Sequence, residues 1–367
     1  MTAPPIGSRI PQLDALTGLR GIAAWFVVLY HIRLSLTGLL PTGAIDMMGK
    51  GYLAVDIFFI LSGFVMWLNY GERLRRGGWG EAPRFWWKRF ARIWPLHGAI
   101  LAAMAAFAAL LLVTGRSADE YPFAELPLHF LLLQNWGLTE QLAWNHPAWS
   151  ISTEVAAYLL FPLLALAAKW ERLPTVWLIG VTLILAAILH FIFAARGYTQ
   201  LGDDITGLGL WRCLAEFTIG IAACNLWRRW QGKSGAAPSC AIVGVAAPTA
   251  GIASGLPETA FLPFAFASLL LALALDSGLA SRLLGSSPLR WLGDVSYATY
   301  LSHFFLFILF KIALVNDDLQ LGWGGLAAYL LIVLAASGVL YNWLEKPAQA
   351  ALNARAPGFA ARRPAMP

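Results

Sequence analysis

The feature that most constrains this chain is a succession of apolar runs, each about twenty residues long, from one end to the other. In an α-helix rising about 1.5 Å per residue, such a run crosses a hydrocarbon core of about 30 Å. The runs fall at about residues 16–35, 51–69, 95–114, 148–168, 174–195, 208–227, 239–255, 259–275, 294–315 and 322–343. Ten spans follow, with nine and eleven as the neighbouring counts because 239–255, rich in Gly, Ala and Pro, is the weakest. A composition of 59% hydrophobic and 13% charged residues, with 17 Trp in 367 residues, is too apolar for a soluble domain of this size. The predicted fold class is an all-α integral membrane protein of about ten transmembrane helices, since lipid offers the backbone no hydrogen-bonding partners.

Charge orients it. Lys and Arg concentrate in 70–94, 169–172, 228–233, 282–290 and 346–363, whereas the alternate loops hold chiefly Lys50, Arg116 and Arg196 with acids such as Asp46, Asp119, Glu258, Asp317 and Asp318. Placing the basic segments inside puts both termini, with Arg9, Arg362 and Arg363, in the cytoplasm and requires an even number of spans. The same partition accounts for the net charge of +6, so no nucleic-acid partner is needed to explain it. The N-terminus lacks the charged region, short apolar core and cleavage site of a signal peptide, so the first span is expected to be retained. Cys213, Cys224 and Cys240 have neither disulfide nor metal-ligand spacing and read as small buried hydrophobes; no metal site is expected.

Two connections are long. Residues 115–147 lie outside, contain the apolar patch LPLHFLLLQNW, and should pack on the bundle or at the interface. Residues 70–94 lie inside and end in RFWWKRFARIWP, where Arg84, Lys88 and Arg92 alternate at helical spacing with Trp86, Phe90 and Ile93. That pattern predicts a cytoplasmic amphipathic helix in the plane of the membrane. Residues 351–367, ending in AARRPAMP, read as a disordered cytoplasmic tail after one domain over 1–350.

The first span, LTGLRGIAAWFVVLYHI, carries Arg20 and His31 eleven positions apart. At 100° per residue the two project from one helix face, about 16 Å apart along the axis. Ionisable side chains in a span cost a few kcal/mol and usually face a wet or polar interior. Arg20 snorkelling to the interface and His31 as a buried neutral ring are the plainer alternatives. Asp56 in the second span, Glu154 in the fourth and His303 in the ninth reach similar depths, although an acid near a helix N-terminus is favourable without any function. A neutral His can take a proton from a hydroxyl while a carboxylate on its other nitrogen fixes its tautomer, which makes His31 a base candidate with Glu154 or Asp56 as its partner. Arg89 and Arg92 set two planar forks one turn apart, a geometry that suits phosphate, though chance can place Arg-x-x-Arg in a basic loop.

Six ordered segments resemble the acyltransferase family three membrane proteins: LDALTGLRGIAAWFVVLYHI, GYLAVDIFFILSGFVMW, RFWWKRFARIWPLH, WSISTEVAAYLLFPLL, WLGDVSYATYLSHFFLF and the closing YNWLEKP. The resemblance covers nearly the whole chain. It implies an acyltransferase (EC 2.3.1.-) that moves an acetyl or other short acyl group from cytoplasmic acyl-CoA, foremost acetyl-CoA, to a hydroxyl of a cell-envelope or exported glycan, glycolipid or small molecule at the bacterial inner membrane. It implies that Arg20 and His31 are an essential pair with His31 the catalytic base, that Arg89 and Arg92 engage the donor, and that Glu154 and Asp56 belong to the polar interior; from their positions, Arg20 is further expected to guide the donor and His303 to contact substrate. No cofactor beyond this co-substrate is implied. The fourth-span motif departs from the usual Glu-Glu-x-Phe-Tyr, reading Glu154, Val155, Ala156, Ala157 and Tyr158, so acceptor contacts there are expected to differ. The esterase-like domain that some members carry after this point is not expected here, since the sequence ends soon after Lys346 and Pro347. The rival readings are an ion-coupled transporter, for which inverted repeats and broken helices are missing from the sequence, and a nonenzymatic assembly whose polar groups only join helices.

Overall fold

The computed structural model describes residues 13–314 and 320–356, and these contain helices and turns with no strand. Arg9, Asp317, Asp318, Arg362, Arg363 and the tail from 357 on lie outside the described residues. The apolar runs fold into α1 (Asp14–Ile32), α2 (Ala54–Met66) and α3 (Ala82–Val113). A short helix α4 (Leu126–Leu131) precedes α5 (Ala148–Ala167), α6 (Thr175–Ala194), α7 (Ile205–Trp230), α8 (Ala236–Ala253) and α9 (Leu262–Leu275). The chain closes with α10 (Ser287–Asp294), α11 (Ser296–Leu314), α12 (Trp323–Leu340) and α13 (Lys346–Ala354).

Among the described residues, eight helical segments are long and apolar enough to cross a membrane. One is the 72-residue run Thr42–Val113, which contains both α2 and α3, and α9 is shorter, at 14 residues. The protein is thus an all-α, multi-pass membrane protein. Its helices divide into a centre and a shell. In α7, 67% of the apolar window is buried, against 22% in α6 and 17% in α8. Val176, Phe191, Ile242 and Leu331 stand exposed on α6, α8 and α12, as side chains facing lipid tails would. The ionisable groups singled out in the sequence lie on α1, α2, α3, α5 and α11, Asp56 and His303 fully buried and Arg20, His31, Arg89, Arg92 and Glu154 part-buried.

Glycine sets how closely the central helices approach. A Cβ on Gly293 would lie 1.9 Å from the Thr17 carbonyl oxygen, and one on Gly21 2.7 Å from the Gly293 nitrogen, so α10 rests directly on α1. Likewise a Cβ on Gly63 would meet the Phe217 carbonyl oxygen at 1.8 Å, and one on Gly220 the Ile60 carbonyl oxygen at 2.0 Å, which joins α2 to α7. Small residues at such contacts let helix backbones touch.

Two expectations are modified and a third is narrowed to packing on the bundle. The stretch RFWWKRFARIWP is not a separate in-plane helix: it is the first part of α3, which continues without interruption through Pro95 to Val113. Pro95 removes one backbone donor and crowds the carbonyl four residues back, yet the helix continues on both sides of it. Residues 351–354, expected in the tail, continue α13, where the Trp87 indole donates to the Leu352 carbonyl at 3.1 Å. The segment 115–147 enters the bundle: His97, midway along α3, donates from Nε2 to the His129 carbonyl at 2.8 Å, and the Ser152 hydroxyl of α5 donates to the Leu132 carbonyl at 2.8 Å. The three cysteines are buried and free.

Candidate active site

Arg20, Arg89 and Arg92 meet at one cavity of about 180 Å³, whose walls also include Ser62, Ser150, Glu154, Tyr158, Tyr297 and Tyr300. Each guanidinium is held from behind. Arg20 donates from Nε and Nη2 to the Gly293 carbonyl at 3.1 and 2.7 Å, a contact available only because α10 touches α1. Arg89 donates to the Tyr70 hydroxyl at 3.2 Å and lies over the Tyr70 and Tyr158 rings. Arg92 forms an ion pair with the buried carboxylate of Glu345 and lies over the Tyr297 ring, whose hydroxyl donates to the Ile93 carbonyl at 2.7 Å.

Tyr70 and Glu345 both sit in single π-helical turns, Trp67–Gly71 and Tyr341–Glu345. Such turns recur at functional sites. Of the carboxylates near these arginines, Glu154 alone is on the cavity wall, where it accepts from the Tyr158 hydroxyl at 2.5 Å; that hydroxyl is 3.0 Å from Ser62 Oγ. Three forked donors around a small polar space can bind an anion with several oxygens.

His31 is not on that wall. Its Nδ1 lies 3.0 Å from the Val27 carbonyl oxygen and 3.1 Å from Nε2 of His303, so the face of α1 that carries Arg20 to α10 carries His31 to α11. His31 is partly exposed, whereas His303 is fully buried. Between cavity and histidines stands Tyr300, which hydrogen-bonds Ser150 Oγ at 2.7 Å and has its ring centroid 6.1 Å from that of His303. On the other side, Phe304 meets the His31 ring edge-on at 5.4 Å and stacks on His146 at 4.6 Å. His146 and His129 belong to the segment that enters the bundle. Burial lowers the pKa of both rings, that of His129 to about 4, which keeps them neutral near pH 7.

The expected carboxylate partner of His31 is neither Asp56 nor Glu154. Asp56, fully buried, accepts from Arg212 Nε and Nη2 at 2.6 Å each, and Glu216 one turn along α7 adds a second buried acid. Glu154 turns to Tyr158 instead. Nor does His303 face the cavity; it backs His31. Sequence reasoning named Tyr158 only as a motif position and passed over Arg212, Glu216, Tyr300, Tyr297 and Glu345. For Arg212 and Glu216 a signal existed, because GLWRCLAEF puts a cation and an acid four residues apart inside an apolar run. For Tyr158 the retained last position of the fourth-span motif was one, and for Tyr297 and Tyr300 spacing gave none.

Comparisons with known proteins identify the family. The family described as "Acyltransferase domain" matches residues 13–342. The chain is similar to acyltransferase MdmB of Streptomyces mycarofaciens, 28% identical over 396 aligned positions that cover 97% of each protein. It is 34% identical over 199 positions to protein 2 in the picA locus of Rhizobium radiobacter, covering 49% of this chain and 94% of that one. It is 24% identical over 325 positions to the peptidoglycan O-acetyltransferase OatA of Listeria monocytogenes, covering 80% of this chain and 49% of that protein. No solved structure matches.

Proposed function

The chain belongs to the acyltransferase domain family, and from that premise we propose that this acyltransferase moves an acetyl or other short acyl group from cytoplasmic acyl-CoA to a hydroxyl of a cell-envelope or exported glycan, glycolipid or small molecule. One observation carries the reading: α1 delivers a guanidinium to an arginine-lined cavity and, three turns away on the same face, a histidine to a second site. The cavity suits the phosphates of a CoA ester, which Arg89 and Arg92 would grip with charge-assisted bonds while Arg20 guides the acyl-bearing arm. The name of the Listeria relative, a peptidoglycan O-acetyltransferase, favours an acetyl donor and a sugar hydroxyl.

In the proposed step the acceptor oxygen attacks the thioester carbonyl carbon as His31 takes its proton. The new C–O bond forms, the C–S bond breaks, and the CoA thiolate recovers the proton from the imidazolium, leaving ester and thiol with no net proton change. A positioned general base contributes roughly 10²–10⁴-fold. Direct transfer needs no second nucleophile, which favours it over an acyl-His31 intermediate. Lys and Arg concentrated in alternate loops favour an orientation with both termini cytoplasmic, and the bacterial relatives favour a cell-membrane location.

The test is acyl transfer by purified protein in liposomes with acyl-CoA on the cytoplasmic face. His31→Ala should abolish transfer while donor binding and thermal stability stay at wild-type values. Wild-type turnover by that variant would remove His31 from the chemistry.

A further inference from the structure

Neither of the two hydrogen bonds to His31 Nδ1 involves a carboxylate, and together with a third they determine which nitrogen of the ring is basic. His303 Nδ1 lies 3.1 Å from the Thr299 carbonyl oxygen, one turn back along α11. A carbonyl only accepts, so this nitrogen carries a hydrogen, and a neutral imidazole has just one N–H. His303 Nε2 is therefore a lone pair. It faces His31 Nδ1 at 3.1 Å, and two ring nitrogens can hydrogen-bond only if one bears a hydrogen, which must be His31 Nδ1. The Val27 carbonyl, 3.0 Å from the same nitrogen, requires the same hydrogen independently. The lone pair of His31 is thereby left on Nε2, on the side of the ring away from both contacts.

We propose that His303 is a positioning residue: a neutral imidazole that accepts from His31 Nδ1, holds His31 in the tautomer whose Nε2 is free to take a proton, and supports the imidazolium when that proton arrives. The proposal rests on the general-base role of His31 argued above. During transfer the hydroxyl proton goes to His31 Nε2, the Nδ1–H donated to His303 becomes a charge-assisted bond, and the proton leaves again to the thiolate. Throughout, His303 keeps its own hydrogen on Nδ1. Two positive rings at this separation would repel in a dry interior, so the pair accommodates one charge at a time. An imidazole therefore supports the base without adding a negative charge beside the acyl carbonyl.

The surroundings fix His303 for this work. It is fully buried, and the Tyr329 hydroxyl of α12 donates to its carbonyl at 3.0 Å. One turn earlier on α11, the Thr299 hydroxyl is bound to Ser337 of α12 at 2.9 Å.

Three variants separate this role from packing. His303→Phe fills the space without an acceptor and should lower kcat about 10- to 100-fold, part of the range a general base supplies, with the acyl-CoA KM and thermal midpoint little changed. His303→Gln offers an amide oxygen near the lost lone pair and should recover much of that loss. In ¹⁵N-histidine-labelled wild-type protein, signals assigned by their disappearance in His31→Ala and His303→Gln should report a protonated Nδ1 on both rings. Wild-type kcat in His303→Phe, or a protonated Nε2 on His31, would overturn the assignment. Retained turnover in His31→Ala would instead overturn the functional reading and leave the ¹⁵N result to judge the histidine pair by itself.

Discussion

Arg212 and Asp56 meet in a bidentate pair with side chains 1% and 0% exposed, and what happens when one is removed separates structure from chemistry. Leaving a buried charge without its partner costs about 3–5 kcal/mol, whereas replacing both partners with apolar side chains of similar size is often neutral. Arg212→Met should therefore lower the thermal midpoint of purified protein sharply, and Asp56→Leu/Arg212→Met should restore it. Activity recovering along with stability identifies a structural joint between α2 and α7; a stable, inactive double variant would return Asp56 to the mechanism. Sequence depth alone made Asp56 a candidate partner for His31, because depth in a span says nothing about the neighbour it faces. At the cavity the forks themselves were legible. Arg89→Ala and Arg92→Ala should each weaken acyl-CoA binding about tenfold or more, since a hydrogen bond to a charged group contributes about 1.5–3 kcal/mol. Arg→Lys should recover only part of it because the planar fork is lost. Unchanged affinity by calorimetry in both alanine variants would reduce the Arg-x-x-Arg to a topology signal.

At the scale of elements, helix periodicity and apolar length were enough to locate the helical runs, and they failed where two helices continue into each other or bulge. The amphipathic pattern of 84–94 is real, yet its apolar face is divided: Ile93 is buried and the Trp86 indole donates to the Tyr158 carbonyl at 3.1 Å, while Phe90 stays exposed. A period of 3.6 residues identifies a face and leaves open what covers it. The two π-helical turns left no trace in hydropathy at all, although they present Tyr70 to Arg89 and Glu345 to Arg92. Glycine positions were more informative than they look. Gly293 both admits α1 and offers the carbonyl that holds Arg20, so Gly293→Ala should separate α10 from α1, lower the thermal midpoint by an overpacking penalty of about 1–3 kcal/mol, and weaken acyl-CoA binding with it. Gly43→Ala, where nothing lies within 4 Å of the added carbon, should leave both measurements alone. Equal effects at the two sites would mean that the α1–α10 contact does not position Arg20.

Over the whole molecule, the arrangement gains meaning from its direction across the membrane. Arg20 and His31 are about 16 Å apart along α1, and the basic segment 70–94 leads into Arg89 and Arg92 at the Arg20 end, so the donor should enter from the basic side and the acceptor from the other. Tyr300 is bonded to Ser150 between the cavity and the histidine pair, and under the proposed function the acyl group should pass it. The orientation can be read with an impermeant thiol reagent, because Cys213, Cys224 and Cys240 are all buried and should stay silent. A cysteine at Gly80 should label only from the cytoplasm, and one at Leu138, whose side chain is exposed, only from outside. In liposomes carrying protein of known orientation, acyl-CoA on the Gly80 side should produce ester from an acceptor confined to the Leu138 side, and acyl-CoA confined to the Leu138 side should produce none. Transfer from both faces would mean that acyl-CoA reaches His31 without passing the arginine cavity, and the division of labour along α1 would be wrong even if His31 remained the base.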